Sequence, residues 1–334
     1  MSRQPAHAGR LRPWERFVFA LVFALMAGFV VTIAVSAARP QLQPLLAGPT
    51  TAAGSRTVPA GAGSSSVRAS GGSTVQQADR SPAGDDTPIK PASARLDALL
   101  AAALRTVLSE HPGQLAVGVI DTTTGQQALY HPAQRVDSAS VIEPDILAAL
   151  LVRHQQAGTP VTGTEADLAT AMMDNGSNAA ATSLWRAVGG RPGVVSANQL
   201  LSLRHTIPGP SGLWGQTRTT VADQLQLLID LTSAHSPLAG PGRDYVLGLM
   251  ASDATGHRWG VPAAATDGTG YAVSSGWLPD PQLWVVNSIG VVIHAGQVLL
   301  IAVLSGHNST EATGMSLASA AAVAAADVIT RAGP

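Results

Sequence analysis

The chain has 334 residues, a formal net charge of −1 and no cysteine. Near-neutrality removes the basic surface that nucleic-acid binding draws on, and the missing thiols exclude a disulfide framework, a cysteine nucleophile and a cysteine-ligated zinc site. Nine histidines stand without the i, i+4 spacing of a helical metal pair, so neither a metal nor another cofactor is expected.

Arg3, Arg10, Arg12 and Arg16 lead into Phe17–Ala38, FVFALVFALMAGFVVTIAVSAA, an uncharged stretch that holds all four phenylalanines. At ~1.5 Å per residue it is long enough to cross a hydrocarbon core of ~30 Å. The basic lead keeps the N-terminus in the cytoplasm. Residues 1–16 are therefore expected inside, residues 17–38 as a single-pass signal anchor in the cell membrane, and the C-terminal remainder extracytoplasmic. The alternative is secretion after cleavage at Val35-Ser36-Ala37, but the apolar run exceeds the usual length of a cleaved signal. Residues 39–93 are dominated by Ala, Gly, Ser, Pro and Thr. They cannot bury enough apolar surface to offset ordering, so a disordered linker is expected.

From about Ala94 to Pro334 the composition becomes that of one globular domain, long enough to bury ~70–75 % of the surface its unfolded chain exposes. It opens with ARLDALLAAALRTVLSEH, whose leucines recur at the helical period. QLAVGVIDTTTGQQALY then sets two apolar runs around a Thr/Gly turn, a hairpin signal. A helix is expected to begin at Ser140, with Ile142, Ile146, Leu147, Leu150 and Leu151 on one stripe, and to stop at Gly158 ahead of Pro160. Residues 164–235 carry helical patterns broken by a loop at HTIPGPSGLWGQTRTT. LWVVNSIGVVIHAGQVLLIAVLSG reads as strand, turn at Ala295-Gly296 and strand, and EATGMSLASAAAVAAADVITRA as an Ala-rich helix. This order describes an α+β domain: an antiparallel sheet flanked by helices plus a helical subdomain, preceded by one transmembrane helix.

Chemistry gathers at three places. In SVIE, Ser140 precedes Glu143 by one helical turn, which puts both side chains on one face. The pair fits a capping box as well as a nucleophile beside a base. In MMDNGSNAAATSLW, Gly176, Ser177 and Asn178 lie between two helical patterns, where Ser177 or Asn178 suits a helix cap. In AVSSGWLPD, Ser274, Ser275 and Gly276 lie on a strand shortly before the closing hairpin. DGTG, Asp267–Gly270, reads as a turn. Trp185, Trp277 and Trp284 are expected in the core, because the globular part contains no phenylalanine.

This order of elements and these three stretches resemble the penicillin-recognising serine hydrolases, above all the class A β-lactamase-like group, over residues 95–332. That family's site is written S-x-x-K, S-D-N and K-T-G, and the resemblance sets SVIE, Gly176-Ser177-Asn178 and Ser274-Ser275-Gly276 against the three motifs. It implies a β-lactamase/transpeptidase-like fold with Ser140 at the nucleophile position and Glu143 where a lysine removes its proton. It also implies Gly176 where a serine relays protons, and Asn178 holding a ligand amide. Ser274 stands in for the ammonium that draws in a substrate carboxylate, Ser275 keeps a hydroxyl, and Gly276 leaves room for a ligand backbone. Between Asp174 and Asp223 there is no Asp or Glu, so the loop that carries the family's water-activating glutamate lacks one. The sole lysine, Lys90, lies in the linker. Lysine-based acyl transfer is therefore unavailable, and Glu143 is expected to reverse the local charge and repel anionic ligands.

The expected function is that of a catalytically degenerate, membrane-anchored β-lactamase-like domain, binding cell-wall peptide or a β-lactam-like ligand in the old cleft. One alternative is an active esterase- or peptidase-like hydrolase in which Glu143 or His257 serves Ser140. Another is a surface scaffold whose cleft is shut by Trp214 or Trp277. No nucleic-acid partner is expected, and nothing in the sequence points to an oligomeric state.

Overall fold

The computed structural model describes residues 91–252 and 258–332. The expected cytoplasmic segment and membrane anchor, nearly all of the linker, and His257 lie outside the described residues.

Helix α1 (Pro91–Glu110) starts slightly ahead of the expected domain boundary. The β1–β2 hairpin follows (Gln114–Asp121 and Gln127–Tyr130). Its turn is tied down by Asp121, whose carboxylate accepts from Thr123 N and the Thr124 hydroxyl, both at 2.8 Å. A helical block comes next: α2 (Glu143–Ala157), α3 (Gly163–Asn175), α4 (Asn178–Ala187), α5 (Gly190–Leu200), α6 (Val221–Thr232) and α7 (Gly240–Ala251). The chain then returns as β5 (Tyr271–Asp280), β6 (Leu283–His294) and β7 (Gln297–Asn308), and closes with α8 (Glu311–Arg331). The turn at Ala295-Gly296 and the stop of α2 at Gly158 fall where expected.

The sheet is antiparallel throughout, in the order β2-β1-β7-β6-β5. First and last strands of the domain are thus neighbours at its centre, which brings residues far apart in sequence side by side. Strands β1 and β7 are buried on both faces, which explains why they read as near-continuous apolar runs rather than alternating ones. On one face, Leu100 and Leu104 of α1 and Leu317, Ala321 and Ala325 of α8 pack on Val117, Val119, Ile301 and Val303. On the other face lies the helical block, with α6 against β1 and β7. A second, two-stranded sheet, β3 (Val136–Asp137) with β4 (Arg218–Thr219), was not foreseen. It anchors the loop expected at 205–220 beside the start of α2.

Candidate active site

The turn that presents Ser140 is built by neighbours from three distant segments. After β3 the chain makes a 3₁₀ turn, Ala139–Ile142, before α2 begins. Ala139 sits in the left-handed region at φ 49°, a conformation that costs a residue with a Cβ roughly 1–2 kcal/mol. The surroundings impose it. Asn287 on β6 donates from Nδ2 to the carbonyls of Asp137 (2.8 Å) and Ser138 (2.9 Å), while its Oδ1 accepts from Ser305 N at 3.0 Å. Ser138 N donates to Thr217 O at 2.7 Å.

Strand β5 clamps the other side. The Ser274 hydroxyl donates to Ser140 O at 3.2 Å. A Cβ on Gly276 would lie 2.5 Å from Ser140 N and 2.6 Å from Ser140 Cβ, so only glycine lets strand and turn meet. Gly276 thus lets β5 close on the Ser140 turn while it also lines the cleft. Ser275 projects its hydroxyl to Ser288 on β6, at 2.8 Å.

The capping box expected at Ser140 and Glu143 is not formed. The N-cap of α2 is Ile142, without a side-chain cap, and Glu143 is already helical. The physical reason is the preceding 3₁₀ turn: Ser140 accepts the Glu143 N–H through its backbone carbonyl, leaving its hydroxyl to other work. Capping boxes do occur at Thr162/Glu165 and Thr310/Thr313. Gly176 is the C-cap of α3 at φ 61°, a backbone position that suits glycine, and Ser177 caps α4 by accepting from Ala180 N.

Glu143 points from the first turn of α2 into the site and is 5 % exposed. Burial pushes its pKa up to about 8, against a smaller opposing effect of the hydrogen bond from Ser140. At neutral pH the side chain is therefore mainly an uncharged acid. The expectation that Glu143 reverses the charge of the site is corrected: desolvation erases the charge instead. Two residues along, about half a turn, Asp145 is fully buried and faces away, taking a 3.3 Å hydrogen bond from Asn198 Nδ2. Its pKa rises to about 7, first through burial and then through the nearby Asp223, with the Asn198 bond opposing.

All seven residues singled out by sequence, Ser140, Glu143, Gly176, Asn178, Ser274, Ser275 and Gly276, line one cleft of about 490 Å³. Sequence reasoning missed the rest of its wall: Met172, Met173 and Asn175 from the end of α3, and Val273 and Trp277 from β5. Trp277 was expected in the core but is 38 % exposed. As the residue after Gly276, on the strand that clamps Ser140, it had a signal that was outweighed by its type. Trp185 is buried as expected, and Trp284 is half-buried. Trp214 is buried with its Nε1 donating to the Thr182 hydroxyl at 3.1 Å, and does not line the cleft.

Among the described residues no arginine or lysine lines the cleft. Arg218 of β4 is engaged outside it, 3.7 Å from Asp137 and donating to Arg135 O at 3.2 Å. The 205–220 loop reaches the Ser140 turn through backbone only, Gly215 O accepting from the Ser138 hydroxyl at 3.4 Å.

Solved structures share this fold. A β-lactamase from Xanthomonas campestris pv. campestris superimposes with a TM-score of 0.61 at 18 % identity, over 70 % of this chain and 98 % of that one. A class A β-lactamase from Bacteroides cellulosilyticus gives 0.62 at 15 %, over 71 % and 99 %. The domain has the β-lactamase/transpeptidase-like fold. A PBP-A variant, solved as an acyl-enzyme complex with penicillin G, matches at 0.60 and 18 %, over 70 % of this chain and 97 % of that one. No family model and no curated protein matches the chain. In this β-lactamase-like fold the cleft is lined by Ser140, Glu143, Asn178, Ser274 and Ser275.

Proposed function

We propose that the protein is a membrane-anchored, extracytoplasmic β-lactamase-like domain that binds a cell-wall peptide or similar ligand in the Ser140 cleft and has lost lysine-based acyl transfer. The observation that carries this reading is Glu143: buried, mainly uncharged at neutral pH, and one turn from the Ser140 hydroxyl. Activating a serine requires a base that accepts its proton, and a protonated carboxyl does not. Among the described residues no cation lines the cleft, which leaves an incoming carboxylate without a charged partner there. A shared fold by itself carries no activity.

The test is treatment of the intact protein with a fluorescent penicillin and a chromogenic cephalosporin at pH 7. Neither stoichiometric labelling of Ser140 nor turnover is expected; label that disappears in Ser140→Ala would defeat the proposal. In the double variant Glu143→Lys with Ser274→Lys, only weak acylation is expected, because Gly176 and the carboxylate-free loop remain.

One observation favours a second reading, a serine hydrolase in which Glu143 is the base. The Ser140 hydroxyl donates to Glu143, whose pKa of about 8 suits general-base work at mildly alkaline pH. That reading requires ester hydrolysis that climbs as pH passes about 8 and vanishes in both Ser140→Ala and Glu143→Gln. A flat, background-level rate across that range removes it. The scaffold reading has no support here, since the cleft is open rather than filled.

A further inference from the structure

Glu143 presents the cleft with a carboxyl that lacks a full set of partners. The residue is 5 % exposed, and its Oε1 has no hydrogen-bond partner. Buried oxygens of this kind are nearly always satisfied; this one is closed off from solvent behind the cleft wall, so a donor entering the cleft reaches it once the Glu143 side chain turns that oxygen outward. Around it stand three further groups able to accept: the amide oxygens of Asn175 and Asn178, and the Ser274 hydroxyl, which spends its proton on Ser140 O and keeps lone pairs. Met172, Met173, Val273 and Trp277 supply the apolar remainder of the wall.

Taking the reading of a binding cleft as given, we propose that this cleft receives a primary ammonium group on an apolar stem, such as a lysine-like side chain of a peptide, seated against the Glu143 carboxyl. An ammonium carries three donors and no acceptor, which the carboxyl of Glu143, the Ser274 hydroxyl and the amide oxygens of Asn175 and Asn178 can accept. Its methylenes suit the Met172/Met173 side. Among the described residues a carboxylate ligand would meet no cation on this wall.

Ion pairing with the guest favours the charged form of Glu143. On binding near pH 7 the carboxyl O–H breaks, its proton passes to the buffer, and the ammonium keeps all three of its own. Among the described residues no other titratable side chain lines the cleft: α3 contributes Met172, Met173 and Asn175, α4 contributes Asn178, and β5 contributes Val273 to Trp277. Asp145, on the same helix, is turned toward Asn198 of α5 and feels Asp223 of α6.

The experiment is calorimetry on the intact protein with N-acetyl-lysine methylamide, its norleucine counterpart of similar stem without charge, and the glutamate counterpart. Titrations at pH 7 in buffers of different ionisation enthalpy count the proton. The lysine probe is expected to bind at least about tenfold more tightly than norleucine, with release of close to one proton and no measurable glutamate binding. Its affinity should rise about tenfold per pH unit between pH 6 and 7 and level off above about 8, the pKa of Glu143. Glu143→Gln, close in shape and uncharged, should remove both the preference and the proton release. Equal binding of lysine and norleucine probes, no binding of the lysine probe, or a preference that survives Glu143→Gln overturns the proposal. Stoichiometric penicillin labelling of Ser140 would instead defeat the binding-domain reading, so the two failures are distinguishable.

Discussion

The sheet of this domain is covered differently on its two sides. Behind it, α1 and α8 lay leucines and alanines on Val117, Val119, Ile301 and Val303. Toward the cleft, the strands bury Asn287 and Ser274, which bond to the carbonyls of Asp137, Ser138 and Ser140. These two side chains hold the left-handed turn at Ala139, and Gly276 allows the close approach of β5 to Ser140. The back is a packing problem with many tolerable solutions. The front is a bonding problem, in which each polar group needs a particular partner. The front also keeps two carboxyls, Glu143 and Asp145, with pKa values raised to about 8 and about 7. The contrast teaches that the backbone frame around Ser140 is held by specific polar bonds, while the carboxyl beside it is kept mainly uncharged by burial.

That contrast can be broken at the back first. Leu104→Ala, in the fully buried row of α1, should cost about 2–5 kcal/mol in urea denaturation, with the same loss at pH 5 and pH 9. A pH-dependent loss would show that the two sides are coupled. At the front the signature is pH itself. Glu143 has a folded pKa of about 8 against 4.5 unfolded, so the folded state holds the extra proton between those values. Stability is then full below 4.5 and falls as pH rises through about 8. Glu143→Gln should flatten this slope and gain a few kcal/mol over the parent near pH 9, read from unfolding midpoints across pH. An unchanged slope would place the titration elsewhere.

The comparison is sharpened by two smaller effects. Gly276→Ala forces a Cβ against Ser140 N and should cost about 1–3 kcal/mol. It should also weaken any ligand binding in the cleft, whereas a back-face substitution of equal cost should not. Ser177→Ala removes the cap of α4 and should cost about 0.5–2 kcal/mol by thermal unfolding. A larger loss would mean that Ser177 supports the cleft rather than only its helix.

The outline was legible in the chain because it rests on local periodicity. The leucine rows of α1, the β1–β2 hairpin with its Thr/Gly turn, the Ala295-Gly296 turn and the stop at Gly158 all depend on neighbours within a few residues. The positions that line the cleft were legible too, since three short stretches in a fixed order led to residues that the fold brings together. Three things were not legible. The start of α2 moved three residues downstream, because Asn287 and Ser274 hold the Ser140 turn from strands more than a hundred residues away. Trp277 faces the cleft rather than the core, since its direction is set by the register of β5 against β6. The Arg218–Thr219 strand had no pattern long enough to announce it.

Sequence by itself determined the inventory: which elements form, in what order, and that a globular part without lysine brings no ammonium to its cleft. Tertiary structure alone decided what the remaining groups are. Whether Glu143 is an anion, a helix cap or a neutral acid depends on how much water reaches it, and that is set by α3, α4 and β5 closing around it. Composition counts charges, but only burial says which of them exist at a given pH.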